Sequence, residues 1–117
     1  MSETCVFCDI VAGKIKTEFL YEDETVVAFS DLRPIAPKHI LIIPKAHHET
    51  LAHTAGSHES GALLGRLLKV AAQLGRTRGE SDGGYRIVIN NGPSAGQTVY
   101  HLHLHLLSGR HFAWPPG

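Results

Sequence analysis

Apolar residues along this chain recur with two different periods, and the sharper one comes near the end. Over Thr98 to Leu107 the leucines Leu102, Leu104 and Leu106, followed by Leu107, interleave with His101, His103 and His105. Side chains of an extended strand alternate faces, so this segment predicts a strand with leucines in a core and three imidazoles on one face, spaced roughly 7 Å apart. Phe19 to Tyr21 and Val26 to Phe29, separated by Glu22-Asp23-Glu24, predict a hairpin. His39 to Ile43, closed by Pro44, predicts a buried strand, and Tyr85 to Ile89 another. The second period is helical. Leu63, Leu64, Leu67, Leu68, Ala71 and Leu74 stand three and four apart and predict one long helix over Ser57 to Gly75, with Ser57 as N-cap and Gly75 as its stop. Asp9 to Lys14 predicts a short helix halted near Gly13, and Asp31 to Lys38, holding two prolines, reads as a loop. A polar turn over Ser81 to Gly84 and a Gly/Pro/Asn loop over Asn90 to Gln97 complete the chain. Strands with one long helix between them imply an antiparallel α+β layer fold, and there is no internal repeat.

Length and composition narrow the class. A chain of 117 residues suits a single domain spanning 1–117. Eleven basic residues balance eleven acidic ones, so no broad attraction to nucleic acid or to an anionic membrane is expected, and any phosphate recognition must be local. No apolar run approaches the roughly 20 residues of a membrane span, and the first residues lack the basic and apolar regions of an export signal. The only cysteines, Cys5 and Cys8, are too few and too close for a disulfide framework. A soluble protein of a reducing, cytoplasmic compartment is the expectation.

Packing does not explain three histidines in register. Imidazole titrates near neutrality and acts as nucleophile, acid, base or metal ligand, so the pattern points to a reaction site or a metal site. The loop leading into it matches neither G-x-x-x-x-G-K-[ST] nor G-x-G-x-x-G, but its glycines permit close approach to a ligand. Gly96, Gln97 and Thr98 would then place donors beside the atom that His103 attacks. Cys5-Val6-Phe7-Cys8 has the spacing of half a tetrahedral zinc site. A redox pair is the rival, yet such pairs open a helix after a strand, and no strand precedes residue 5. His48-Glu49 suggests a zinc-protease helix, but that motif needs histidine at 52, where Ala52 stands, so a metalloprotease is excluded. His48, His53, His58 and His111 read as solvated.

Gly96 to Leu107, with its His-x-His-x-His and two apolar residues, resembles the signature of the histidine-triad family. Asp31 to His39 and Ile42-Ile43-Pro44-Lys45-Ala46-His47 resemble the family's earlier strand and loop, and Trp114-Pro115-Pro116-Gly117 is similar to the end of its Hint branch. The likeness covers nearly the whole chain. It implies an antiparallel sheet of about five strands with one long and one short helix. It also implies a homodimer with one continuous sheet, in which the long helix and the histidine strand pack across the two-fold axis and the 111–117 tail reaches the partner. The implied activity is nucleotide hydrolysis or nucleotidyl transfer at the α-phosphorus of purine nucleoside 5′-phosphoramidates, through a covalent nucleotidyl group on His103. His105 and His39 would orient phosphate oxygens or aid proton transfer. Thr98, where the family usually has serine, would meet the leaving group, and Asn90, Gly96 and Gln97 would line the phosphate pocket. Asp31 would accept the ribose hydroxyls, and Phe7, Ile10, Phe29 and Leu32 would form the base slot. Read without the resemblance, Asn90 and Gln97 are equally turn-capping amides, Asp31 caps the proline turn, and the four apolar residues belong to the core. The family likeness also adds His47 and His101 to Cys5 and Cys8 as ligands of a structural zinc that the reaction does not need. A dinucleoside polyphosphate hydrolase and a non-catalytic zinc or nucleotide-binding module are the other readings.

Overall fold

The computed structural model describes residues 5–78 and 83–117. In chain order it contains α1 (Val6–Val11), β1 (Tyr21–Glu22), β2 (Val26–Ser30), β3 (Lys38–Pro44), α2 (Leu51–Ala55), α3 (Ser60–Arg78), β4 (Tyr85–Val88) and β5 (Leu104–Ser108). The strands form a five-stranded sheet in the order β1-β2-β3-β5-β4, every neighbouring pair antiparallel. This is the expected α+β architecture, with α2 as a second short helix beside the one expected.

Boundaries moved for local reasons. α1 starts at Val6 rather than Asp9 because Cys5, in extended backbone, acts as its N-cap: the Sγ accepts the Cys8 N–H at 3.3 Å. α2 is too short to show a period, and it forms where the Thr50 hydroxyl accepts the His53 N–H and Asn91 Oδ1 accepts the Ala52 N–H. Ser57 caps the turn before α3 rather than the helix itself, its hydroxyl accepting from Glu59 N–H and its carbonyl from the Ser60 hydroxyl. α3 then runs straight through Gly75 to Arg78. The Tyr85 ring lies against it: a Cβ there would sit 2.6 Å from the ring, which would have to swing away. Of the polar turn over Ser81 to Gly84, positions 81 and 82 lie outside the described residues. β5 begins at Leu104 rather than Thr98, because the Leu102 N–H turns aside to the His48 carbonyl at 2.6 Å.

Both faces of the sheet are covered. On one, Leu67, Val70, Ala71 and Leu74 of α3 bury against Val26, Ala28, Ile40, Ile42, Leu102, Leu104 and Leu106. On the other, Phe7 and Ile10 of α1 pack on Val27, Phe29, Leu41 and Ile43. That double burial is why β3 reads as an almost unbroken apolar run. At roughly 1.5–3 kcal/mol per large buried side chain, these two layers are the main favourable term holding the strands in place. Leu68, counted in the helix's apolar face by its spacing, is 48% exposed. The odd positions of β3 and β5 put His39 and His105 on the α1 side, and Leu107 falls there too, opposite His39 in the register; His103, just before β5, meets Phe7 on the same side. No helix among the described residues is long and apolar enough to cross a membrane.

Candidate active site and metal cluster

Adjacent antiparallel strands bring the histidines together. In the β3–β5 register Leu41 faces His105 and His39 faces Leu107, so His39 and His105 are diagonal neighbours on one face. Their rings meet with His39 Nε2 2.9 Å from His105 Nδ1. Asp31 Oδ2 lies 3.5 Å from the same His39 nitrogen, and the Ile35 N–H donates to His39 Nδ1 at 3.2 Å. His103, only 8% exposed, stands beside His105 with ring centroids 4.9 Å apart. Its Nδ1–H donates to the His101 carbonyl at 2.7 Å, which leaves the lone pair on Nε2. The edge contact with Phe7, centroids 5.1 Å apart at 89°, holds the ring from the α1 side. His105 Nε2 is buried and has no hydrogen-bond partner among the described residues.

Burial dominates the electrostatics of these rings. Loss of water pushes His101 and His105 down to about 4, with neighbouring histidines adding to the shift, and lowers His39 and His103 in the same direction. Asp31 opposes the shift at His39, His103 and His105. All four imidazoles are therefore neutral at pH 7. A neutral imidazole with one nitrogen held by a carbonyl and the other unprotonated is chemically a nucleophile.

A second cluster lies behind His101. Cys5 Sγ is 3.4 Å and Cys8 Sγ 3.6 Å from His101 Nδ1, Cys8 Sγ is 3.2 Å from His47 Nδ1, and the two Nδ1 atoms are 3.3 Å apart. Sulfur and nitrogen ligands held 2.0–2.3 Å from a tetrahedral ion stand roughly 3.3 to 3.8 Å from each other, so the four donors fit a zinc-sized tetrahedron. All four atoms lie within 4.8 Å of one another. His101 is wholly buried, and its Nε2–H donates to the Pro44 carbonyl at 2.8 Å, which turns the Nδ1 lone pair toward the cluster.

Other expected residues divide. Phe7, Ile10 and Phe29 are buried together in the α1-side core, with the Phe7 and Phe29 rings edge to face at 5.7 Å. Leu32 stands in solvent, 95% exposed, and is not part of that wall. Asp31 Oδ1 caps the turn by accepting the Arg33 N–H, the reading made without the resemblance, while Oδ2 faces His39. Gln97 is a clamp inside its own loop. Its amide donates to the Glu49 and Val99 carbonyls and its Oε1 accepts the Gly92 N–H, so the side chain's donors are spent away from any ligand. Gly92 and Gly96, at φ of 93° and 94°, have the left-handed backbone that this loop requires. Asn90 is half-buried, and Thr98 is exposed at the wall of a cleft of about 310 Å³ shared with Cys5, His47 and Glu49. His53, His58 and His111 are exposed as expected, whereas His48 is half-buried against the strand end its carbonyl holds. α2 starts after His48 and Glu49, so those residues share no helix with His53 that could hold a zinc-protease motif across one turn. Sequence reasoning missed Ile35, Asn91 and Arg110: Ile35 acts through its backbone N–H, Asn91 caps α2, and the Arg110 guanidinium holds a backbone carbonyl, none of which a side-chain motif marks.

A family model described as HIT domain matches residues 12–112. The chain is 46% identical over 112 residues to a 14 kDa zinc-binding protein of Zea mays, covering 96% of this chain and 87% of that one. It is 41% identical over 110 residues to a purine nucleoside phosphoramidase of Escherichia coli, covering 94% and 91%. A crystal structure of a HIT family hydrolase from Legionella pneumophila superposes with a TM-score of 0.90 at 45% identity, covering 97% of this chain and 99% of that one.

Proposed function

Because the chain belongs to the HIT domain family, we propose that it is a nucleotide hydrolase or nucleotidyl transferase acting on purine nucleoside 5′-phosphoramidates. The observation that carries this is the state of His103: its Nδ1 proton is held by the His101 carbonyl and its Nε2 lone pair is left for attack. His103 Nε2 bonds to the α-phosphorus as the P–N bond to the amine breaks, and the amine leaves taking a proton from solvent. Water then attacks the same phosphorus and gives one proton back to solvent, the phosphorus–His103 bond breaks and returns the lone pair to Nε2, and the nucleoside monophosphate departs. His105, whose Nε2 has no partner among the described residues, faces the developing charge on the phosphoryl oxygens. Thr98 supplies a hydroxyl on the leaving-group side, Gly96 and Asn90 bound the phosphate, and Asp31 offers Oδ2 to the ribose. Phe7, Ile10 and Phe29 back the base. The 41% identical E. coli relative bears the name of this activity, which supports the choice of phosphoramidates over dinucleoside polyphosphates.

We read Cys5, Cys8, His47 and His101 as ligands of a structural zinc, in keeping with their spacing and with the zinc-binding maize relative. Bound there, zinc would tie the N-terminal segment to the stretch that carries His103 into β5, and four protein ligands leave it no open position for substrate. The protein is read as a cytoplasmic, single-domain homodimer. The edge strand β4 would extend the sheet across the two-fold axis, and the 111–117 tail would reach the partner's site. Light scattering giving the mass of two chains checks the dimer.

The test of the reaction is a rapid quench. Mixed with adenosine 5′-phosphoramidate and stopped in acid, the protein is expected to carry one nucleotidyl group on the peptide containing His103. His103→Ala is expected to lose turnover and keep nucleotide binding. An adduct on another residue, or turnover that survives in His103→Ala, would refute the assignment.

A further inference from the structure

Two nitrogens facing each other at 2.9 Å, His39 Nε2 and His105 Nδ1, share one proton, and the direction in which it is donated decides what His105 presents to a ligand. We propose that the main-chain N–H of Ile35 sets that direction and is a positioning group for the triad. The Ile35 N–H donates to His39 Nδ1, so that nitrogen carries a lone pair and no proton. A neutral imidazole has one N–H, which on His39 is therefore on Nε2. His39 Nε2–H donates to His105 Nδ1, which as acceptor is unprotonated in turn, and the His105 proton resides on Nε2. That is the buried nitrogen left without a partner. The chain of donors thus ends in a hydrogen aimed at the place where, on the reading proposed above, the phosphoryl oxygens lie. His105 is a donor and not a base, and His39 has no lone pair facing the groove.

The same argument disposes of a competing use of these side chains. Asp31, His39 and His105 bring three possible metal-ligand atoms within 4.8 Å of one another. A metal on His39 Nε2 would require the proton on Nδ1, where it would collide with the Ile35 N–H. The backbone makes this trio a hydrogen-bond relay.

Two contacts from the segment after β5 hold Ile35 where it is. The Arg110 guanidinium donates to the Ile35 carbonyl at 3.2 Å and stacks on Phe112 at 4.3 Å. Gly109, at φ of 99°, lies so close to Pro37 that a Cβ would meet its side chain at 2.7 Å. With Pro34 and Pro37 on either side of Ile35, the loop has few backbone states to lose, and the amide is delivered to His39 already oriented.

The experiment is a two-bond ¹H–¹⁵N correlation spectrum of nucleotide-free, metal-loaded protein labelled at histidine nitrogen, near pH 7. Both His39 and His105 are expected in the Nε2–H form. An Nδ1–H pattern on either ring in the unmodified protein overturns the proposal, whatever happens to any variant. Ile35→Pro removes the one hydrogen at issue, and the folded variant is expected to show a mixture of tautomers on both rings, whereas Ile35→Ala keeps the N–H and both patterns. In Ile35→Pro, kcat on a phosphoramidate is expected to fall roughly tenfold, the scale of one hydrogen bond, with KM little changed. A folded Ile35→Pro protein with unaltered tautomers would also overturn it. Correct tautomers in a protein that never turns over phosphoramidate would instead sink the proposed reaction and leave the relay standing.

Discussion

Acidification is expected to destabilise this protein from pH 6.5 downward, before its carboxylates begin to protonate, and the buried histidines set the size of the effect. His105 falls from an ordinary value of 6.5 to about 4 on folding, because burial disfavours its charged form and the neighbouring His103 and His39 add to that. A drop of about two and a half units at about 1.4 kcal/mol per unit makes about 3–4 kcal/mol from this ring alone. The sign follows from proton binding. Between pH 6.5 and 4 the unfolded chain holds a proton on His105 that the folded chain lacks, so stability is complete above 6.5 and drains away as the pH falls toward 4. His39 and His103 are shifted the same way and deepen the loss, as does His101 once its cluster is free of metal. Against a typical total of about 5–15 kcal/mol, this is a large fraction. Asp23, which hydrogen bonds from Thr25, Tyr21 and Arg66 keep low despite desolvation, contributes its full stability above its ordinary 3.8 and loses it only below, so it does not blur the window. Urea unfolding at a series of pH values is the assay, run on the parent and on His105→Gln. The parent's stability is expected to slope steeply between pH 6.5 and 4.5, with a midpoint of thermal unfolding lower by more than about 10 °C at the acid end. His105→Gln is expected to be shallower by up to one proton. Stability flat across that range, or an identical slope in the variant, would refute the reasoning.

Three further outcomes are expected. Cys8→Ser removes one corner of the tetrahedron, so purified protein is expected to hold less than about a tenth of an equivalent of zinc by elemental analysis and to melt several degrees lower, since a ligand present at a hundredfold its Kd stabilises by about 2.7 kcal/mol. Gln97→Ala leaves the Gly92 N–H and the Glu49 and Val99 carbonyls without their partner, and at about 1 kcal/mol each the loss by urea unfolding is expected near 3 kcal/mol; an unchanged midpoint would show that Gln97 is no clamp. Leu104→Ala empties a wholly buried position between β3 and α3, with an expected loss of about 2–5 kcal/mol by the same measurement.

Periodicity made the sheet legible because the strands bury two faces of different chemistry. Alternation of leucine and histidine over 101–106 puts the leucines against α3 and the imidazoles on the other side, although only His105 of the three lies within β5, and the apolar run of β3 announced a strand covered on both sides. What failed depends on contacts distant in sequence. Gly75 has the look of a helix stop, and only the structure shows it mid-helix with the Tyr85 ring, ten residues on, packed against its open face. Leu32 looks like a core residue until its loop is seen to turn it outward. Gln97 was readable as a polar group near a phosphate, but its partners Glu49 and Val99 are backbone carbonyls, which no side-chain pattern reveals. The Cys-x-x-Cys pair pointed to a tetrahedral site, while its remaining ligands came from the family likeness and not from spacing.

A deeper reason for the gap lies in how four chemically identical rings acquire different tasks. Three of them have one nitrogen claimed by a main-chain group, and that choice frees the other. Pro44 O takes Nε2 of His101 and turns Nδ1 to the cysteines; His101 O takes Nδ1 of His103 and frees Nε2; the Ile35 N–H takes Nδ1 of His39 and sends the Nε2 proton to His105. The side-chain sequence shows only His at each place, and it is the backbone that sorts them. The sorting survives only in one register. A slip of β5 by one residue would exchange every leucine for a histidine on the α3 face, leaving imidazoles unpaired among Val26, Ile40 and Ile42. The leucine layer is therefore what selects which nitrogen each histidine offers. A one-residue insertion between Gln97 and His101, in the loop that absorbs length, is accordingly expected to leave the tautomers of His103 and His105 intact, whereas the same insertion between His103 and Leu106 is expected to cost both the fold and the reaction.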